Sequence, residues 1–366
     1  MEGLVTSDCE FWKGKSVFVT GHTGFKGGWL SLWLHALGAN VHGYALDPPT
    51  EPSLFNVAKI QNLVASDQRQ DVADLGALKA AILEVAPTVV FHLAAQPLVR
   101  EGYRDPLGTL KTNVLGTANV LEAVRACPSI EAVIVITTDK VYENREWVYP
   151  YRETDPLGGH DPYSASKAAA ELVTASFRSS FFAAADGNRA MIASARAGNV
   201  IGGGDWGRER LVPDCLKAFE SNDPVRLRYP NSVRPWQHVI EPIAGYLLLA
   251  ERLCTIAGPE LSRAWNFGPD DDGDGSVLTV ANTLAELWGD GAEVLHDDVS
   301  HLVHEATLLR LDSSLAKAQL GWKPRWTLRI ALERTVDWHR AWLRGDDMAS
   351  VGLAQIREYS ELLQQA

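Results

Sequence analysis

The sequence predicts an α/β fold: a doubly wound parallel sheet followed by a smaller C-terminal lobe. Three observations carry this expectation. Short apolar runs at 17–19, 88–93, 132–136 and 190–195 read as buried strands. They alternate with segments of helical period, the order that builds a parallel sheet covered on both faces. A glycine turn, Gly21-x-x-Gly24-x-x-Gly27, joins the first strand to the first helix.

The elements follow in order. Val17, Phe18 and Val19 form the first strand. From Gly28 to Leu37, Trp29, Leu30, Trp33, Leu34 and Leu37 fall on one helical face. Strand, glycine turn and helix together make a nucleotide site, because backbone N–H groups can approach a pyrophosphate at the helix N-terminus. Asn40 to Leu46 reads as the second strand. Asp47 follows, 20 residues beyond Gly27, where an acid can hold adenosine ribose hydroxyls and favour NAD over NADP. Residues 48–55 form an irregular loop. Asp71 ends a short strand, and 74–85 is helical. The strand at 88–93 runs into Ala94-Ala95-Gln96, small residues that admit a flat cofactor. One long helix is expected over 105–126. The strand at 132–136 ends in Thr137-Thr138-Asp139-Lys140. Asp161 and Pro162 are a cap and first-turn pair for the next helix.

From about Ile201 the texture changes: glycine, proline, tryptophan and arginine interrupt shorter elements. The expected division is 1–200 for the nucleotide-binding part and 201–366 mainly for the second lobe, with an interleaved boundary. Asp270 to Gly275 reads as an exposed acidic loop, since the twelfth-position Glu of a calcium loop is missing.

Bulk properties narrow the function. At 366 residues and net charge −12, the chain is large enough for a sizeable core. Its acidity disfavours nucleic acid and anionic membranes. No apolar stretch reaches membrane-spanning length, and no secretory signal is visible. Cys9, Cys127, Cys215 and Cys254 are scattered, which points to a reducing cytosol. His296, His301 and His304 lack a carboxylate grouping, so no metal is expected. An anionic ligand must be met by local cations, and Arg208, Arg210, Arg228 and Arg234 lie near Gly202-Gly203-Gly204.

Thr138, Tyr163 and Lys167 carry the chemistry. Tyr163 and Lys167 are i and i+4 on one helix. A lysine ammonium beside a positive nicotinamide ring favours the tyrosine phenolate. The phenolate can then remove a hydroxyl proton while hydride leaves for the cofactor.

Seven segments carry a resemblance to the extended short-chain dehydrogenase/reductase family along almost the whole chain. They are Thr20-Gly-His-Thr-Gly-Phe-Lys-Gly27, His92-Leu-Ala-Ala-Gln-Pro97, Thr137-Thr-Asp-Lys-Val-Tyr142, Tyr163-Ser-Ala-Ser-Lys167, Arg196-Ala-Gly-Asn-Val-Ile-Gly-Gly-Gly-Asp-Trp206, Arg234-Pro-Trp-Gln-His238 and Trp265-Asn-Phe-Gly-Pro269. The third and sixth are narrower and resemble the branch that acts on CDP sugars.

The resemblance implies a Rossmann-type sheet with a smaller C-terminal substrate-binding lobe. It implies NAD as a tightly held cofactor and CDP-D-glucose as substrate. The implied reaction oxidises C4, removes water across C5 and C6, and returns the same hydride to C6, giving CDP-4-keto-6-deoxy-D-glucose for deoxysugar synthesis of the O-antigen type. Asp139 is the implied acid and Lys140 the base, where dTDP-glucose dehydratases carry Thr-Asp-Glu. Implied cofactor contacts are Gly21, Thr23, Gly24, Phe25, Lys26, Gly27, Asp47, Asp71, Leu93, Ala94, Ala95, Asn113, Tyr163 and Lys167. Implied substrate contacts are Gln96, Asn199, Arg208, Arg210, Leu211, Arg228 and Arg234, with His238 either a contact or a core histidine. A cytoplasmic homodimer paired through helices near 105–126 and 161–183 is also implied. The alternatives are another 4,6-dehydratase, a 4-epimerase, or a silent NAD-binding module.

Overall fold

Val17, Phe18 and Val19 alternate between two apolar layers. Val17 and Val19 join one buried cluster and Phe18 the other, the period-2 signature of a strand covered on both faces. In the computed structural model this strand, β1 (Ser16–Thr20), is central. The structure describes residues 9–182, 190–227, 229–255, 258–270, 274–289, 291–296 and 308–364.

The remaining strands are β2 (Asn40–Ala45), β3 (Ser66–Arg69), β4 (Val89–His92), β5 (Ala132–Ile136), β6 (Met191–Ala197), β7 (Asn199–Ile201), β8 (Val225–Leu227), β9 (Val233–His238), β10 (Ala264–Phe267), β11 (Asp274–Ser276) and β12 (Val294–His296). Seven form one sheet in the order β3-β2-β1-β4-β5-β6-β10, every neighbouring pair parallel. The order reverses between β1 and β4, so the chain opens a crevice beyond the carboxyl ends of these two strands. β11-β9-β7 and β12-β8 form two small sheets.

The two halves share one core. Trp29 and Trp33, on helix Phe25–Ala36, cluster with Trp265, Trp322, Trp326, Trp338 and Tyr359 from the far end of the chain. Helix Met348–Gln364 packs on helix Phe25–Ala36, and β10 extends the first sheet from beyond residue 260. A separate cluster of Ile201, Val212, Leu216, Trp236, Leu284 and Leu332 forms the core of the small sheets. Burial of each large apolar side chain contributes about 1.5–3 kcal/mol.

Two expectations change. The helix expected over 105–126 is Pro106–Leu110, a wide π turn at Lys111–Leu115, then Gly116–Arg125, preceded by a short helix Val99–Arg104. The π turn projects Asn113 inward, where its amide bonds to Gln96 and Ser166. The acidic segment is not wholly loop: Asp274–Ser276 pairs with β9, and Trp236 Nε1 donates to the Gly275 carbonyl. Asp271, Asp272, His301 and His304 lie outside the described residues. Gly203 is a packing glycine: a Cβ there would stand 2.1 Å from Trp338, and its carbonyl accepts from Trp29 Nε1.

Among the described residues, no helix is long and apolar enough to cross a membrane. None of their His, Cys, Asp and Glu side chains forms a group of three that could hold a metal ion.

Candidate active site

The glycine turn is shaped by close approach. Gly21 has φ +77°, and a Cβ on it would lie 2.6 Å from the Ala94 nitrogen. A Cβ on Gly27 would lie 2.1 Å from the Gly21 carbonyl oxygen. Gly24 caps helix Phe25–Ala36 with no side-chain hydrogen bond. The first-turn amides, from Phe25 onward, therefore have no side-chain cap to satisfy them, which suits an anion. Thr23 donates to the Leu46 carbonyl and ties the turn to the end of β2.

A hydrogen-bond relay holds the opposite wall. The amides of Leu93 and Ala94 donate to Thr20 Oγ1, Thr20 pairs with His92 Nδ1, and His92 Nε2 pairs with Thr117, which donates to the Asn113 carbonyl. Burial, then Lys167, pushes His92 down to about 3, so it is neutral. The relay then assigns its proton to Nε2. Leu93 and Ala94 consequently face the glycine turn in a fixed geometry.

Asp47 stands just past β2 with 90% of its side chain exposed, and Arg69 reaches it at 3.3 Å. Together with Glu51 and Asn56 they edge an open hollow of about 520 Å³. Asp71 accepts the Ala73 amide. An uncapped helix start, a cradle that excludes any Cβ, and an exposed acid beyond β2 fit a dinucleotide.

The reactive groups gather past β5. Thr138 caps the turn Asp139–Val141 and donates to Asp139 Oδ1 at 2.9 Å. Asp139 is 2% exposed, and its Oδ2 is buried with no hydrogen-bond partner. Burial raises its pKa, against Lys140, Thr138, Arg234 and Lys26. Tyr163 hydrogen-bonds Thr138, and burial pushes its hydroxyl up to about 12. Lys167 is 8% exposed and donates to the Ile136 carbonyl; burial lowers it to about 8, against Glu171. The expected lowering of Tyr163 is therefore not intrinsic to the protein alone, because burial outweighs Thr138 and Arg210.

Among the described arginines of that group, two act electrostatically on this cluster. Arg210, ion-paired with Asp205 at 2.9 Å, acts on Tyr163. Arg234, on β9, acts on Asp139. Arg208 is exposed, Leu211 opens helix Leu211–Glu220, and Asn199 on β7 pairs in register with Trp236. Arg228 lies outside the described residues. The Gln96 amide bonds Leu98 and Thr109, so the side chain braces its own loop. His238, either a contact or a core histidine from the sequence, is fully buried against Trp29 and Trp326.

Sequence reading missed a buried ion pair beneath the site. Glu171 and Arg196 meet at 2.9 Å, both nearly inaccessible. Burial opposes the charge on Glu171, but Arg196 and the hydroxyls of Ser194 and Thr137 hold its pKa below the usual carboxylate range. Glu171 follows Lys167 at i+4, and that spacing was the available signal.

Comparison with known proteins agrees with this geometry. The GDP-mannose 4,6 dehydratase family matches residues 18–252. A CDP-glucose 4,6-dehydratase of Salmonella typhimurium is 52% identical over 354 residues, covering 96% of this chain and 98% of the relative. MoeE5, solved with UDP-glucuronic acid and NAD, superimposes with a TM-score of 0.74 at 25% identity, over 89% of this chain and 99% of its own. A dTDP-glucose 4,6-dehydratase of Bacillus anthracis, solved with NAD, has the same fold: TM-score 0.74, 20% identity, 91% of this chain and 99% of its own. With its glycine turn, its Thr138–Tyr163–Lys167 cluster and a family match over more than half its length, the chain belongs to the GDP-mannose 4,6 dehydratase family of extended short-chain dehydrogenases/reductases.

Proposed function

We propose that the chain is an NAD-dependent hydro-lyase that converts CDP-D-glucose to CDP-4-keto-6-deoxy-D-glucose and water. The observation that carries the reading is the meeting of Thr138, Tyr163 and Lys167 with Asp139 and Lys140 at one strand end, beside the glycine turn. The close Salmonella relative supports the choice of CDP-D-glucose. NAD is the cofactor, and when bound it supplies a reversible hydride acceptor.

The chain's own groups do the rest. Tyr163 takes the proton from the C4 hydroxyl, and Thr138 orients the same oxygen. Buried Lys167, on the next turn of the helix, supplies positive charge that favours the phenolate. The C4 ketone acidifies the C5 proton, which Lys140 removes. Asp139, kept protonated by burial, gives its proton to the C6 hydroxyl, and water leaves. Arg210 and Arg234 are the cations for the sugar diphosphate. The hydride then returns to C6.

An epimerase needs no acid–base pair for water loss, and Asp139-Lys140 argues against one. Residues 1–200 form the main NAD-binding part and 201–366 mainly the sugar-nucleotide lobe. A cytoplasmic homodimer in deoxysugar synthesis of the O-antigen type completes the reading. Leu107 (77% exposed), Leu110, Leu115 and Leu172 on the helices at 106–125 and 162–181 support pairing there. The test is incubation with NAD and CDP-D-glucose, read by the alkaline absorbance of a 4-keto-6-deoxy sugar. Absence of that product from any sugar nucleotide would favour a binding module.

A further inference from the structure

Segment 137–142 carries Thr138, Asp139 and Lys140, and it is tied down at three places. Just before it, Lys167 Nζ donates to the Ile136 carbonyl at 3.3 Å. At its start, Thr137 Oγ1 donates to Glu171 Oε1 at 2.6 Å. At its end, the Tyr142 hydroxyl accepts from Arg196 Nη1 at 2.8 Å, and Arg196 Nε pairs with Glu171 Oε1 at 2.9 Å. Glu171 therefore holds both ends of the segment, one directly and one through Arg196.

The carboxylate is well held in turn. Ser194 Oγ donates to its other oxygen at 2.5 Å, and Arg196 Nη2 reaches that oxygen at 3.2 Å. Donors on both oxygens favour the ionised form. Tyr142 donates onward to Asn266 Oδ1 at 2.7 Å, on β10. Thr137, Tyr142, Glu171 and Arg196 are each no more than 5% exposed, so water does not readily replace a bond lost here. Tyr163, Lys167 and Glu171 follow one another at i, i+4 and i+8 on helix Pro162–Phe181. One helix thus presents the oxidising pair and also grips the turn that presents the acid and base.

We propose that Glu171, together with Arg196, is a positioning residue for the reacting turn: it fixes both ends of segment 137–142 and so sets where Thr138, Asp139 and Lys140 stand relative to Tyr163 and Lys167. The proposal rests on the reading of Thr138, Asp139 and Lys140 as reacting groups. A reacting group displaced by about 1 Å can lose about 10²-fold in rate.

Replacing Glu171 would leave Arg196 buried without its anion, which endangers the fold. Two variants keep the pair and free one end each. Thr137→Val removes a hydroxyl and keeps the side-chain shape. Tyr142→Phe removes the other hydroxyl, while the ring stays stacked on Tyr151 and the backbone stays paired with Leu157. Thermal melts set a temperature at which both are folded. In single turnovers with NAD and CDP-D-glucose, Thr137→Val should slow C4 oxidation by ~10–10²-fold, because Thr138 is the next residue. Thr137→Ser should restore most of that rate. Tyr142→Phe should slow water loss by ~10–10²-fold and oxidation less, so that enzyme-bound NADH builds up. KM for CDP-D-glucose should stay within about threefold of wild type in both. Equal slowing of both steps in both variants, or normal rates with only a lowered melt, makes the pair a stability element and overturns the proposal. A raised KM with unchanged turnover makes it a substrate contact and does the same. A substrate-free readout separates this failure from failure of the proposed function. Carbon-13 NMR of threonine methyl groups should show the Thr138 signal displaced in Tyr142→Phe. An unmoved signal overturns the proposal even if wild-type protein makes product, whereas a displaced signal without product from wild type refutes the proposed function alone.

Discussion

Replacing Gly27 by alanine should disable the nucleotide site without touching a reacting group. The added Cβ would stand 2.1 Å from the Gly21 carbonyl oxygen, and 2.8 Å from both the Gly21 carbonyl carbon and His22 Cα. Real Cβ contacts essentially never fall below 3.0 Å, so the turn must open by at least 3.0 − 2.1 = 0.9 Å. Gly21 cannot yield easily. Its amide donates to the Tyr44 carbonyl at 2.9 Å, and its own carbonyl accepts from Gly24 at 3.1 Å. Opening the turn strains that last bond, at about 0.5–1.5 kcal/mol. Overpacking against rigid backbone adds about 1–3 kcal/mol. The sum is about 2–4 kcal/mol, and if only the lower figure falls on the bound state, NAD affinity drops about 30-fold. Isothermal titration with NAD, beside a thermal melt, reads both parts. A variant with NAD affinity within about threefold of wild type and an unchanged melt would refute the close-approach argument.

Further outcomes follow from other groups. Tyr163→Phe should keep the fold, seen by circular dichroism, and lose about 10²–10⁴-fold in turnover; near-normal turnover would remove Tyr163 from the mechanism. Lys140→Met should let enzyme-bound NADH and the C4 ketone accumulate in one turnover, since Thr138, Tyr163 and Lys167 remain. Flat NADH absorbance with no product would assign Lys140 to binding or oxidation. Glu241 supplies a pH test of stability. It accepts the amides of Arg325 and Trp326 and the Tyr359 hydroxyl. Burial raises its pKa from 4.5 to about 7. Because the folded pKa lies above the unfolded one, its contribution is complete below pH 4.5 and is lost as pH rises through about 7. That window holds about 3 kcal/mol. Urea midpoints at mildly acidic and mildly alkaline pH should differ less in Glu241→Gln than in wild type, and equal differences would contradict the assignment.

How much was legible in the sequence differs by the range of the interaction. The glycine turn and the Tyr163–Lys167 pair are local patterns, where spacing alone sets which groups share a turn or a face. Thr138 was legible because a buried strand ends just before it. Gln96 was not: its amide is satisfied by Thr109 and its loop is held by Asn113, through a π turn that periodicity reads as plain helix. Within the Gly202–Gly204 run, Gly203 makes room for Trp338, far along the chain. His238 lies between tryptophans from both ends of the protein. Glu171, on helix Pro162–Phe181, and Arg196, on β6, form a pair that only the packing of that helix on the sheet brings together. In each case the deciding partner lies more than a helix turn away, where a pattern in one sequence carries no register.

The central claim is that one hydride leaves C4 and returns to C6 within the same active site. Turnover of CDP-D-glucose carrying deuterium at C4 tests it most directly. The account predicts product with deuterium at C6 of the same sugar, no crossover between labelled and unlabelled substrate, and no net consumption of NAD. Deuterium found in free NADH, or product whose C6 carries only protium, would contradict it.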